Sequence, residues 1–252
     1  MDPLQTDSAF QFRRVKPNSR SRTGFYITRK GKSLEFESTL ELHTLLILDF
    51  EPAVDDVAVQ PMRISDWVPD CLIRIQDEKI LAEIKKESEL IQRWPELSLR
   101  YSSLNKHCLA QGFTFGLITD ALIYYPERCR VGILEAIWHL ARECRHPEEE
   151  TIGQIDRIIR SQGLITIRTL IDKLGPETDT ETRLKAVCNS LANGIRHTLL
   201  TPSSNLLDCI VSSTATKQNQ VFGKRILSFE ALQERIRTHP YSHFKEGIRV
   251  VS

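Results

Sequence analysis

The sequence predicts an α/β layer fold over residues 33–122, a mixed sheet with helices packed on it, followed by a helical region over 123–252. Two observations carry this. In the first stretch the patterns run helix, three strands, helix, strand. After residue 122 the texture changes and the helical period dominates. The 252-residue length fits one large domain or two medium ones. A chain of this size buries roughly 70% of its unfolded surface, so its core needs no disulfides.

Residues 36–50, FESTLELHTLLILDF, read as the first helix, with apolar Leu40, Leu42, Leu45, Leu46 and Leu48. Ser38-Thr-Leu-Glu41 fits a capping box ahead of that run, and Pro52 ends it. Residues 57–68 read as extended, interrupted by Pro61. Residues 70–76 and 79–86 are two strand-like runs whose polar junction, Asp77-Glu78, suggests a hairpin. A helix follows over 95–111, begun by Pro95 and ended by Gly112. Residues 113–119, FTFGLIT, form the last strand of this part. Beyond it, helices are expected over 130–145, 151–162, 165–175, 178–195 and 228–237. The 165–193 segment has helix-turn-helix spacing, and 198–211 suggests a short hairpin or wing.

Charge and cysteine usage narrow the class. Residues 1–32 carry eight Lys/Arg against two Asp and read as a basic, extended N-terminal arm suited to phosphates. Residues 33–122 carry sixteen Asp/Glu against eight Lys/Arg. Carboxylates gathered on a folded domain repel DNA unless some of them hold cations. The six cysteines include no CxxC pair, which argues against a zinc site and for buried reduced thiols. No apolar run approaches the ~18 residues of a membrane span, and the first residues lack the form of a secretory signal. A cytoplasmic location is expected.

The chemistry concentrates at Pro69-Asp70, followed after twelve residues by Glu83-Ile84-Lys85. Positions two apart share a strand face, so Glu83 and Lys85 project together, and a hairpin brings Asp70 beside them. Two carboxylates can hold Mg²⁺ or Mn²⁺, and an ammonium next to them can act on a water or a phosphate. Glu37 and Glu41, one turn apart on the first helix, are each placed to add a third carboxylate. His43 reads as a packed or surface histidine. Gln60 is either a phosphate contact or a strand-end amide, and Asp120 either a helix cap or a site residue.

These motifs resemble the PD-(D/E)xK nuclease superfamily and, more narrowly, TnsA, the endonuclease subunit of heteromeric cut-and-paste transposases. The supporting strings are ESTLEL (37–42), LLILDFEPAVDDVAVQP (45–61), VPD (68–70), AEIK (82–85) and GLITD (116–120). The similarity covers about residues 20–122, with a vaguer match through the helical region. It implies a restriction-endonuclease-like fold over 33–122 and an all-α, winged-helix-like domain over 123–252 for partner or DNA contacts. It also implies catalytic Glu41, Asp70, Glu83 and Lys85, with Glu41, Asp70 and Glu83 as Mg²⁺ ligands (Mn²⁺ substituting). Arg20, Arg22, Lys30 and Gln60 are the candidate DNA contacts. The activity implied is hydrolysis of the 5′ strands at transposon ends in double-stranded DNA. The implied partners are a TnsB-like DDE transposase and a TnsC-like ATP-dependent regulator. Two other readings stay open: a stand-alone restriction or repair nuclease of the same fold, and a non-catalytic adaptor between DNA and a regulator.

Overall fold

The computed structural model describes residues 22–51, 53–124, 128–144, 148–176, 178–193, 198–201, 205–212 and 226–238. Strands β1 (Gly24–Ile27) and β2 (Ser33–Phe36) pair as an antiparallel hairpin. Helix α1 (Thr39–Phe50) follows. Strands β3 (Asp56–Val59), β4 (Cys71–Ile75), β5 (Glu78–Lys85) and β6 (Thr114–Thr119) then form a mixed sheet in that spatial order. The β3–β4 and β4–β5 pairs are antiparallel, and β5–β6 is parallel. A parallel pair needs a crossover, and α2 (Glu87–Ala110) supplies it. The first part of the chain is thus α/β, with a mixed sheet flanked by helices.

Helix α1 is buried almost all round, at Leu40, Leu42, Thr44, Leu45, Leu46, Ile47 and Leu48, because it lies between two partners. Below it is the sheet face made by Val57, Val59, Cys71, Ile73, Ile80, Ala82 and Ile84, and above it helix α4 (Arg128–Glu143). The opposite sheet face, with Ala58, Leu72, Leu81, Phe115 and Leu117, packs on α2 through Leu97, Tyr101 and Leu104. The two faces follow from strand alternation.

The C-terminal part adds α3 (Asp120–Tyr124), then α5 (Glu149–Gln162), β7 (Leu164–Thr166), α6 (Ile167–Lys173) and α7 (Thr180–Asn193) after α4. Strands β8 (Thr198–Thr201) and β9 (Ile210–Ser212) and helix α8 (Phe229–Arg237) follow. A second core forms here around Ile155, Ile159, Leu170 and Val187. Helix α4 serves both cores: Val131, Leu134 and Trp138 face α1, while Ile133, Ile137 and Ala141 face α5 and α7. Two stripes at i, i+3/4, i+7/8 on one helix account for this sharing.

Four features differ from the sequence-based expectation. The region after 122 is not all-α: β7, β9 and β8 form a three-stranded antiparallel sheet. Its strands are three or four residues long, too short for period-2 alternation to register. Helix α2 starts at Glu87 instead of Pro95, and Pro95 lies inside it. Pro95 is solvent-exposed, so water can satisfy the carbonyl its ring frees. The basic arm of residues 1–32 gives its end to the fold, for Tyr26 in β1 is fully buried. Finally, α8 returns to the first part. Leu227 exchanges both backbone hydrogen bonds with Leu117 on β6 (2.9 Å each), and Arg235 pairs with Glu87 of α2 at 2.6 Å. This covers the sheet edge at β6. Among the described residues no helix is long and apolar enough to cross a membrane.

Candidate active site

The β4–β5 register opposes Cys71 to Ala82, so Asp70, just before β4, lies opposite Glu83 on the next step of the hairpin. The turn at its far end uses Gln76 at φ +54°. Glu83 and Lys85 follow Leu81 at two-residue steps, and Leu81 belongs to the core beneath α2. The three therefore share the α2 side of β5. Asp70, Glu83 and Lys85 meet at the end of this strand.

The Lys85 ammonium lies 3.0 Å from Glu83 Oε1 and 3.8 Å from Asp70 Oδ2. Each carboxylate is also held from elsewhere. The Ile84 backbone N–H donates to Asp70 Oδ2 at 2.7 Å. The Trp67 indole N–H donates to Glu83 Oε2 at 2.6 Å. Trp67 reaches that position because residues 64–67 fold back on themselves, with Ile64 and Trp67 exchanging backbone hydrogen bonds. Its ring is almost fully buried and meets Phe115 edge-on at 5.6 Å.

Charge in this cluster is unbalanced. Burial, and then the neighbouring Glu83, push Asp70 up to about 7. Burial works against the Lys85 ammonium, but Asp70 and Glu83 together hold its pKa above the ordinary lysine value. A carboxyl with so high a pKa is one whose charge is under-compensated.

Glu41 stands apart from the trio in its bonding. Its Oε2 accepts the Glu37 N–H at 2.8 Å, and its Oε1 accepts the Ser38 hydroxyl at 3.0 Å. Its own N–H donates to Ser38 Oγ. The carboxylate thus closes the cap of α1. It is still within electrostatic reach of the site, since Lys85 lowers its pKa and it raises that of Asp70; burial leaves the Glu41 pKa raised overall. Among the described residues, no group of three His, Cys, Asp or Glu side chains is gathered closely enough to hold a metal ion. The expected set of Glu41, Asp70 and Glu83 is therefore not assembled as three ligands; the cap bonds hold the Glu41 carboxylate.

The candidate DNA contacts divide. Gln60 is buried beside the site: its backbone N–H donates to the Asp70 carbonyl at 3.0 Å, and its φ is +43°. A non-glycine residue in that conformation marks backbone strain next to the acidic trio. Arg22 is paired with Glu135 on α4 at 2.7 Å, and Lys30 donates to the Asp55 backbone carbonyl. Both are engaged within the fold. Arg20 lies outside the described residues. Asp120 is a cap, its Oδ1 accepting the Glu87 N–H at the start of α2 at 2.7 Å. His43 is packed away, its Nδ1 2.8 Å from the Tyr124 hydroxyl.

Sequence reasoning missed Trp67. No periodicity or spacing points to it, and only the loop that turns residues 64–67 inward brings its N–H to Glu83. It also missed Tyr101, a buried phenol on α2 whose pKa is raised by burial first and then by Glu83. Compared with known proteins, the chain matches no family model, and no curated protein matches it.

Proposed function

We propose that this protein is a metal-dependent DNA endonuclease that hydrolyses phosphodiester bonds, and that it works as the 5′-strand-cutting subunit of a heteromeric transposase. The observation that carries the reading is the Lys85 ammonium shared by Asp70 and Glu83 at the end of β5. The mixed sheet and the hairpin register behind that trio agree with a restriction-endonuclease-like fold. The transposase assignment rests on the resemblance of residues 20–122 to TnsA, which also supplies the partners: a TnsB-like DDE transposase, a TnsC-like ATP-dependent regulator and transposon-end DNA.

The donor set fits a divalent cation. Asp70 and Glu83 are oxygen donors of the kind Mg²⁺ and Mn²⁺ prefer, and burial, with Glu83 beside it, disfavours the charged form of Asp70, a penalty a cation would relieve. Asp70 and Glu83 would hold it; Glu41 would join by releasing the Glu37 N–H and the Ser38 hydroxyl. The cation would supply Lewis-acid withdrawal of charge from phosphoryl oxygens and a lowered pKa for a bound water. Lys85 orients the attacking water or neutralises the phosphate in the transition state. The Trp67 N–H and the Ile84 N–H fix the two carboxylates, so neither needs to reorganise during reaction. Gln60, whose backbone N–H donates to the Asp70 carbonyl, is kept as the candidate contact near the scissile phosphate.

The C-terminal region supports a winged-helix reading. Its order is α5, β7, α6, α7, β8, β9, with β9 central between β7 and β8. On α7, Lys185 is paired with Glu181 at 2.6 Å and Glu143 at 3.0 Å. Basic side chains already neutralised make a poor groove reader, which favours contact with a protein partner such as the regulator. Cleavage by the isolated chain is expected to be weak or absent.

The test is strand cleavage on labelled transposon-end DNA with the transposase, the regulator and Mg²⁺ present, comparing the parent with Asp70→Ala. Selective loss of 5′ cuts, with 3′ cutting intact, is expected. Unchanged 5′ cutting would overturn the reading, as would robust site-independent cutting by the parent chain alone.

A further inference from the structure

The Tyr101 hydroxyl is an unspent hydrogen-bonding group next to the acidic trio. Tyr101 is 1% exposed, and its oxygen is buried with no hydrogen-bond partner among the described residues. A buried hydroxyl left unpaired costs about 1–3 kcal/mol, so such a group calls for an explanation. Phenylalanine would fill the same volume without that cost.

The placement supplies one. Tyr101 lies on the α2 face that packs on Leu81 of β5, alongside Leu97, Leu104 and Cys108. Its ring meets Phe115 at 5.5 Å, and Phe115 in turn meets Trp67, the residue that holds Glu83. Glu83, Lys85 and Asp70 all act electrostatically on its hydroxyl, and it acts on Lys85 in return. The phenol oxygen is therefore within electrostatic reach of the lysine ammonium.

The Lys85 ammonium sits where it neutralises both carboxylates that a divalent cation would use. A divalent cation on those oxygens repels the ammonium, which favours moving Lys85 toward another acceptor. A phenol oxygen can accept a hydrogen bond from an ammonium, and the four-carbon lysine stem is flexible enough to swing.

We propose that Tyr101 is a positioning residue for Lys85: its hydroxyl receives the ammonium when Asp70 and Glu83, held in place, bind a divalent cation. This rests on the metal-dependent reading above. In the cation-free protein Lys85 is the counter-charge of the carboxylates. In the loaded protein it is held on Tyr101, on the α2 side of the site. The unpaired hydroxyl is thus the vacant half of a two-position arrangement for one lysine.

The test is Mn²⁺ binding to the full chain by titration calorimetry, with melting temperatures measured without metal. Tyr101→Phe is expected to melt at or above the parent temperature, having lost an unpaired buried hydroxyl, yet to bind Mn²⁺ about tenfold more weakly, since a hydrogen bond to a charged group is worth roughly that or more. With Lys85→Met already in place, Tyr101→Phe is expected to leave the Mn²⁺ affinity unchanged. Unaltered affinity in Tyr101→Phe, with binding abolished by Asp70→Ala, would overturn the role of Tyr101 and keep the cation site. Equal weakening with and without Lys85 would show that Tyr101 does not act through the lysine and would also overturn it. A parent protein that binds no Mn²⁺ at millimolar concentration would overturn both the cation site and this proposal.

Discussion

The two faces of the central sheet use the same strands to opposite ends. On the α1 side, β5 presents Ile80, Ala82 and Ile84 to a continuous apolar core. On the α2 side it presents Leu81 to an apolar core, then Glu83 and Lys85 at the strand end. Residues one position apart, Glu83 and Ile84, thus meet contrary demands. On the α1 face, α1 is itself covered by Val131, Leu134 and Trp138 of α4. The α2 face opens at the C-terminal end of β5, where α2 has just begun, and there Lys85 keeps 29% of its side chain exposed. An ammonium can remain hydrated at such a place while its carboxylate partners are largely buried. The difference teaches that a charged cluster is tolerated where a covering helix starts, since there charge is held without full desolvation.

Variants on the two faces should separate fold from activity, and they test the contrast in order of expected size. Ile73→Ala, at a fully buried position of the α1 face, is expected to cost about 3 kcal/mol by leaving a cavity, read as a fall in the urea midpoint. A loss below about 1 kcal/mol would mean that this core is loosely packed. Glu83→Gln, on the other face, should invert the pattern. Its carbonyl still accepts the Trp67 N–H, so stability is expected to stay within about 1 kcal/mol, while 5′ cleavage falls about 100-fold, the scale of a lost electrostatic group. Cleavage within threefold of the parent would remove Glu83 from the chemistry.

Gly116→Ala probes the edge strand that the C-terminal segment covers. A Cβ there would come within 2.5 Å of Ile226 Cγ2 and 2.9 Å of Ile80 Cγ2. Both neighbours are β-branched and stiff, so a cost of about 2 kcal/mol is expected. Faster exchange of the Leu117 and Leu227 amides would show that the returning segment had been lifted off β6; unchanged protection would place the strain elsewhere.

The smallest effect concerns pH on the outer side of α1. Burial lowers the His43 pKa below the ordinary 6.5, although Glu135 from α4 pulls it upward; Tyr124 from α3 and Arg22 also border the ring. Because the folded pKa is depressed, the full stability is present above pH 6.5. It is lost as pH falls from 6.5 toward the folded value, where the unfolded chain takes a proton that the folded chain resists. Between pH 7.5 and 5.5 the parent should therefore lose more stability than His43→Gln. Equal slopes would show that the histidine charges freely in place.

Much of the first part was legible because its signals are local. The capping box before α1, the alternation of β4 and β5 and the glycine after α2 each act over a few residues. The pairing of Asp70 with Glu83 and Lys85 followed from strand periodicity once a hairpin was assumed, and the register bears out that juxtaposition. Pro95 misled because proline rules assume a buried or hydrogen-bonded neighbour, while here the helix passes through it on its solvent side. The antiparallel pair of β8 and β9 matches the short hairpin or wing expected over 198–211, whereas β7 was invisible because three residues cannot establish a period.

The sequence by itself determined which residues could carry charge chemistry and on which strand face they lie, since side-chain period is a property of the backbone. Only the tertiary structure decided which of them share atoms. It drew Trp67 onto Glu83 and left the buried Tyr101 hydroxyl without a hydrogen-bond partner among the described residues. It also turned α8 back onto the edge of the first sheet. Those outcomes depend on contacts between residues from 16 to over 100 positions apart, and no local pattern encodes which distant surface a side chain will meet when the chain closes on itself.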